Sequence, residues 1–246
     1  MRIMVISTDS GATEEHKRAR EALLKQAAGP DVEIRFEGQV ETTVCVDSNV
    51  DVVITGPETL KRALKAQEEG YDAVCLFCGS DPAYDACREL LTIPVIGAAH
   101  AAFALAANLG FRYSFITTSK RRIPQKREFI RTCNIDINRL ASVRAIEYDM
   151  EAGHERTETI KALADAAKRC AQEDGADTVI LGCLSFAGMG KEISELSGVT
   201  VVDPAYAMIA MAEAVVRMGI SHSKIAYPAP PAAKRNWQRG SLDTSI

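Results

Sequence analysis

The sequence predicts an α/β protein of two pseudo-symmetric lobes, each a mostly parallel sheet covered by helices, with the active site between them. Three observations carry this. Short continuous apolar runs alternate with helical stretches, the pattern of parallel strands buried on both faces. The order of elements restarts at about Tyr113, and the echo covers nearly the whole chain. One local device also occurs twice: an apolar run that delivers a cysteine, EEGYDAVCLFCGS in the first half and EDGADTVILGCLS in the second. Gly70 and Gly175 lie 105 positions apart, and so do Cys78 and Cys183.

Each element has its own justification. Ile3-Met4-Val5-Ile6 is a buried strand and 7–12 a loop. Thr13 caps a helix over about 13–28 that Gly29-Pro30 stops. Val32–Phe36 alternates, as a strand does. In 37–51 no element is assigned: Val44-Cys45-Val46 is too short, and Val52-Val53-Ile54 is either a short strand or the entry to a helix. Gly56-Pro57 opens a helix to about Glu69, with Pro57 in the first turn, where its missing N–H costs nothing. Strand 73–77 delivers Cys78. A helix over about 82–90, a strand over 93–97 and an Ala-rich helix over 99–109 complete the first copy. The second copy has a strand at 113–119, a helix from Pro124 to about Arg131, a strand at 143–147 and a helix over about 155–173. Strand 178–182 delivers Cys183, a strand follows at 199–203, and a helix at 205–218 ends at Gly219. The helix at 205–218 echoes the Ala-rich helix but follows the second copy's last strand. The expected lobes are therefore 1–98 plus 205–246, and 99–204. A Pro-rich stretch and a polar end holding Trp237 close the sequence.

Composition limits the function. The 47% apolar content over 246 residues supports a sizeable core. A net charge of −4 argues against a nucleic-acid partner, which needs a concentrated positive surface. Lys120-Arg121-Arg122 with Lys126-Arg127 reads as a solvated turn and first helical turn, with steering of an anionic substrate as the alternative. No apolar stretch reaches the roughly 18 residues of a membrane span, and no signal-peptide pattern opens the chain. The expectation is a cytoplasmic protein with reduced thiols. Five of the seven cysteines (Cys45, Cys75, Cys87, Cys133 and Cys170) read as packing groups. No Gly-x-Gly-x-x-Gly follows the first strand. His16, His100, His154 and His222 show no metal-ligand spacing. No cofactor and no metal are expected.

In open α/β sheets ligands bind beyond the C-terminal strand ends, and both Cys78 and Cys183 lie there. The residues after each (Gly79-Ser80 and Leu184-Ser185) can turn backbone N–H groups toward a bound oxygen and favour a thiolate. The loops at 7–10 and 117–119 open on the same edge with Ser7, Thr8, Ser10, Thr117, Thr118 and Ser119, suited to a small polar substrate. Asp9 either binds a cationic group, orients a thiol or is a plain loop residue. Glu147, at a strand end on this edge, is a further candidate for substrate binding, and His100 opens a helix nearby. Two thiols on opposite sides of one carbon suit racemisation: a thiolate removes a proton α to a carbonyl and a thiol returns one to the other face. No Arg or Lys stands next to either cysteine loop in sequence, which disfavours a free carboxylate as the main anchor.

The chain resembles the aspartate/glutamate/hydantoin racemase superfamily, and within it the hydantoin and allantoin racemase branch. The resemblance covers essentially the whole sequence. It is carried by Phe77-Cys78-Gly79-Ser80-Asp81-Pro82 and Ile93–Gly97, by Ile180–Cys183 with Ala187-Gly188-Met189, and by Phe115–Thr118. It implies cofactor-independent two-base chemistry with Cys78 and Cys183 as the bases, and a homo-oligomer, dimeric or larger. The retention of both thiols favours racemisation over the decarboxylation done by relatives that keep only the second. Ser7-Thr8-Asp9-Ser10 replaces the branch's usual Asn-Pro-Asn-Ser/Thr, and Leu184-Ser185-Phe186 stands before Ala187 as an insertion. The implied substrate is a 5-substituted hydantoin or a related cyclic ureide. The alternatives are an amino acid of the aspartate/glutamate type, cis–trans isomerisation, and a two-lobe sensor without catalysis.

Overall fold

The computed structural model describes residues 1–42, 44–148, 155–237 and 240–243. His154 lies outside them. Two four-stranded sheets form, all of their strand pairs parallel. The first has the order β2-β1-β3-β4, from β1 (Arg2–Ser10), β2 (Glu33–Gln39), β3 (Ala73–Phe77) and β4 (Val95–Gly97). The second repeats it as β6-β5-β7-β8, from β5 (Tyr113–Thr117), β6 (Leu140–Ala145), β7 (Thr178–Leu181) and β8 (Thr200–Val202). Both halves thus have one strand order, with the cysteine beyond the C-terminal end of a central strand, β3 or β7.

Helices α1 (Glu14–Lys25), α2 (Asn49–Glu68), α3 (Tyr84–Leu90) and α4 (Ala98–Leu109) alternate with the first strands. In the second half come α5 (Ile123–Arg131), α6 (Arg156–Asp174), α7 (Gly190–Ser197) and α8 (Pro204–Arg217). Helices α4 and α8 pack on one another. Helix α8 turns back onto β3 and β4, while α4 reaches β7 and β8. Their Ala content follows from that position, because small side chains let two helices pack closely between two sheets. Ala98, Ala101, Ala102 and Ala106 of α4, and Ala205 and Ala212 of α8, are fully buried. One apolar cluster runs through them from Ile3 and Phe77 to Phe115 and Ile180, joining the halves.

Several local expectations change. Strand β1 runs on to Ser10, with a register shift against β2 between Ile6 and Ser10, so 7–10 is strand end rather than loop. Helix α2 starts at Asn49 and holds Pro57 in its interior. Its true start is a capping box: Ser48 Oγ accepts from Asp51 N–H, and Asp51 Oδ2 accepts from the Asp47 N–H and the Ser48 hydroxyl. Helix α7 was not anticipated. The polar end forms an antiparallel hairpin, Lys234–Trp237 with Gly240–Asp243. Ahead of it, Lys224 Nζ donates to the carbonyls of Arg88 and Glu89, tying the chain after α8 to α3.

Candidate active site

Both cysteines line one cavity of about 320 Å³. Cys78 follows β3, and Asp81 N–H donates back to the Cys78 carbonyl at 3.1 Å. Cys183 follows β7 and Gly182, and Phe186 N–H donates to the Cys183 carbonyl at 3.2 Å. The same three-residue turn therefore follows each thiol. The two turns touch through backbone: a Cβ on Gly79 would overlap the Gly182 carbonyl oxygen. Gly182 is itself constrained, because a Cβ there would meet Ile116 O at 2.5 Å.

Nine further expected residues line the cavity: Thr8, Asp9, Ser10, Gly79 and Ser80 from the first half, and Thr117, Thr118, Leu184 and Ser185 from the second. Leu184-Ser185-Phe186, the insertion noted above, winds into a 3-10 turn that buries Phe186 against Tyr148, with ring centroids 5.1 Å apart. Three expected residues do other work. Ser7 is buried and its Oγ accepts from Asp9 N–H at 3.0 Å. Ser119 caps the 3-10 turn 120–122 through Arg121 N–H. Glu147 sits outside the cavity, where its Oε1 accepts from Lys120 N–H at 2.8 Å. His100, on the first turn of α4, places Nδ1 2.7 Å from Asp81 Oδ2. The same carboxylate accepts the Ala99 and His100 N–H groups, so the first cysteine loop is pinned to α4. Asp203 is its counterpart, accepting from Ala205 N–H and from Gly188 N–H beyond the second cysteine.

Sequence reasoning reads Arg122 and Lys126 as part of a solvated turn, with anionic-substrate steering as the alternative, and the structure buries both in the cavity wall, each 4% exposed. Lys126 Nζ donates to the Gly79 carbonyl at 2.6 Å and to Ser80 Oγ at 2.8 Å. Arg122 donates to Ser80 Oγ and, at 2.9 Å, to the Val46 carbonyl. Adjacency in sequence was the wrong criterion, since the 3-10 turn 120–122 and α5 bring these cations to the first cysteine loop from the second half. A usable signal existed: Ile123, Lys126 and Ile130 follow helical spacing on one stripe, and Ile130 is core. Val44-Cys45-Val46 also lines the cavity, and Cys45 is exposed rather than packed. Glu58 of α2 places this segment by accepting the N–H groups of Val40, Glu41 and Thr42. Arg121 pairs with Asp47, each next in sequence to a cavity-lining residue, Arg122 and Val46.

Burial pushes the Cys78 thiol up. The Lys126 ammonium, the Ser80 N–H and the Thr8 hydroxyl act in the other direction and favour its thiolate. Lys126 is pushed down to about 8, by burial first and by Arg122 second, while both cysteines favour its charge. Among the described residues no group of three or more His, Cys, Asp and Glu side chains is arranged to hold a metal ion. No helix of these residues is long and apolar enough to cross a membrane.

The profile of the Asp/Glu/Hydantoin racemase family matches residues 3–212. The chain belongs to that family. It is 29% identical to the hydantoin racemase of Paenarthrobacter aurescens over 226 residues, 91% of this chain and 94% of that one. It is also 29% identical to the hydantoin racemase of Rhizobium meliloti, over 95% of this chain and 97% of its relative. The allantoin racemase structure from Pseudomonas fluorescens superposes with a TM-score of 0.88 at 28% identity, covering 96% of this chain and all of that one. These relatives place the chain in the hydantoin and allantoin racemase branch, and the enzyme is an isomerase of the racemase type.

Proposed function

We propose that the enzyme is a cofactor-independent two-base racemase that uses Cys78 and Cys183 on a 5-substituted hydantoin or a related cyclic ureide. The observation that carries the proposal is the pair of matched turns: each thiol ends a parallel strand, and the turns meet through Gly79 and Gly182 in the wall of one cavity. One cysteine thiolate takes the proton from the carbon α to the ring carbonyl, giving a thiol and an enolate. The other thiol donates its proton to the opposite face, leaving the mirror-image substrate and a thiolate. In the reverse direction the roles exchange. Hydroxyls of Thr8, Ser80, Thr117, Thr118 and Ser185 around the cavity suit the carbonyl and N–H groups of a ureide ring. The names of the relatives support the substrate class.

The same proposal divides the chain into a lobe of 1–98 plus 205–246 and a lobe of 99–204. The packing of α8 on β3 and β4 supports it. It also carries a cytoplasmic setting that keeps the thiols reduced, and a homo-oligomeric assembly. The test is polarimetry on L-5-alkyl and aryl hydantoins, allantoin, L-aspartate and L-glutamate in deuterated water, with proton NMR in parallel. Rotation should decay to zero on a hydantoin or on allantoin, with label entering the α position. Reduced enzyme that leaves every ureide in the panel optically active and unlabelled would sink the proposal.

A further inference from the structure

Arg122, at the end of the 3-10 turn 120–122, and Lys126 of α5 put two cations into the cavity wall, and few anionic groups among the described residues lie close to them. Arg122 lies 3.6 Å from Asp47, but Arg121 engages the other oxygen of that carboxylate. Lys126 forms no ion pair among the described residues. Its Nζ donates to a carbonyl and a hydroxyl, both neutral. The Asp81 carboxylate is occupied by Ala99, by the His100 N–H and by the His100 ring. A single thiolate, from Cys78 or Cys183, offsets one positive charge. Arg122 and Lys126, both buried, are then left with an Asp47 shared with Arg121, one thiolate, and an Asp81 whose oxygens are engaged with α4.

Burying an ammonium or a guanidinium without a counter-charge is unfavourable. Arg122 Nε is moreover buried with no hydrogen-bond partner among the described residues, although a guanidinium has five N–H donors to satisfy. Both side chains border the same cavity as the thiols. Two buried cations in the wall of the cavity that holds the thiols are therefore short of close anionic partners.

We propose that Arg122 and Lys126 form an anion subsite, and that the substrate is a cyclic ureide bearing a carboxylate on its 5-substituent. This rests on reading the cavity as a racemase site. The planar guanidinium matches a carboxylate, and Lys126 supplies a point charge between that carboxylate and Cys78. The ring hydrogen-bonds to the hydroxyls, the side-chain carboxylate goes to α5, and the α-carbon stays between the thiols.

A pair of alkylating agents that differ only in charge tests the subsite without turnover. Reduced enzyme at pH 7 is treated with iodoacetate or with iodoacetamide, and the rates at Cys78 and Cys183 are followed by peptide mass spectrometry. Each iodoacetate-to-iodoacetamide rate ratio is compared with that of glutathione. At one of the two cysteines at least, the ratio should exceed glutathione's by tenfold or more. Arg122→Gln and Lys126→Met should bring it back to within about twofold. Wild-type ratios no higher than glutathione's at both cysteines overturn the subsite, and that result needs no variant to fold.

The second arm compares kcat/KM on 5-carboxymethylhydantoin and on its carbamoylmethyl isostere. The acid should be favoured at least tenfold in the wild type and lose that advantage in Arg122→Gln. Equal turnover of acid and amide overturns the carboxylate substrate and leaves the racemase reading standing. A charge preference in alkylation, with neither hydantoin exchanging its α-proton, upholds the anion subsite and overturns the hydantoin substrate.

Discussion

The two cysteine loops share one turn and differ in what surrounds it. Cys78 is buried beneath Lys126 and Arg122, which arrive from the other half of the chain. Its loop is held by Asp81, which has a positive φ of 41° and caps α4. Cys183 is half-buried and is followed by a 3-10 turn anchored by Phe186. The loop beyond it is held by Asp203, which caps the other central helix, α8. A repeated fold therefore delivers equivalent thiols to unequal surroundings. Racemisation needs two acid/base groups of one kind, one on each face of the carbon. It does not need them equally buried, and the asymmetry is where discrimination among substituents can reside.

The contact between the turns is the most sensitive part of this comparison. The contact joins Gly79, after the first cysteine, to Gly182, before the second, and neither position has room for a Cβ. Gly79→Ala would drive a Cβ into the Gly182 carbonyl, and backbone has little room to yield. Racemisation should fall by at least about 100-fold, or roughly 2.7 kcal/mol, while circular dichroism still reports a folded chain. Activity within threefold of wild type would mean that the turns need not meet.

A second prediction sharpens the electrostatic difference. The fall of Lys126 from an ordinary 10.5 to about 8 corresponds to a penalty on the order of 3 kcal/mol for keeping it charged. Between about pH 8 and 10.5 the unfolded chain holds more protons at this group than the folded one, so stability rises with pH across that window. Denaturant unfolding of wild type should gain on Lys126→Met from pH 8 to pH 10 and run parallel to it below pH 7. A difference that stays flat throughout would show that the ammonium is not buried at the cost described.

Much of this architecture was readable in the sequence because it rests on patterns that local physics enforces. Continuous apolar runs such as Ala73–Phe77, glycine stops such as Gly70 and Gly175, and the matched cysteines predict the sheets and the cavity-lining turns. What was unreadable depends on tertiary packing. Pro57 looks like a helix start because its missing N–H is harmless there, yet Ser48 and Asp51 had already capped the helix. Ser7, Ser119 and Glu147 were credited with substrate contacts because they sit at strand ends, and each instead satisfies a nearby backbone N–H. Lys126 was credited to solvent because lysine usually is, although its place on the stripe with Ile123 and Ile130 pointed inward. Cys45 lies in a segment of no legible structure, which Glu58 positions through backbone contacts that composition does not announce.

The central claim is that one thiol serves each face of the substrate carbon. The most direct measurement takes Cys78→Ser and Cys183→Ser, supplies each with a pure enantiomer of the hydantoin or ureide that the wild type turns over, and follows α-proton exchange and optical rotation together in deuterated water. Both variants should lose racemisation by roughly 1000-fold or more, about 4 kcal/mol. Any residual exchange should be confined to one enantiomer in each variant, and to opposite enantiomers in the two. Racemisation that survives in either variant at more than a few per cent of wild type, or exchange of the same enantiomer by both, would contradict the account.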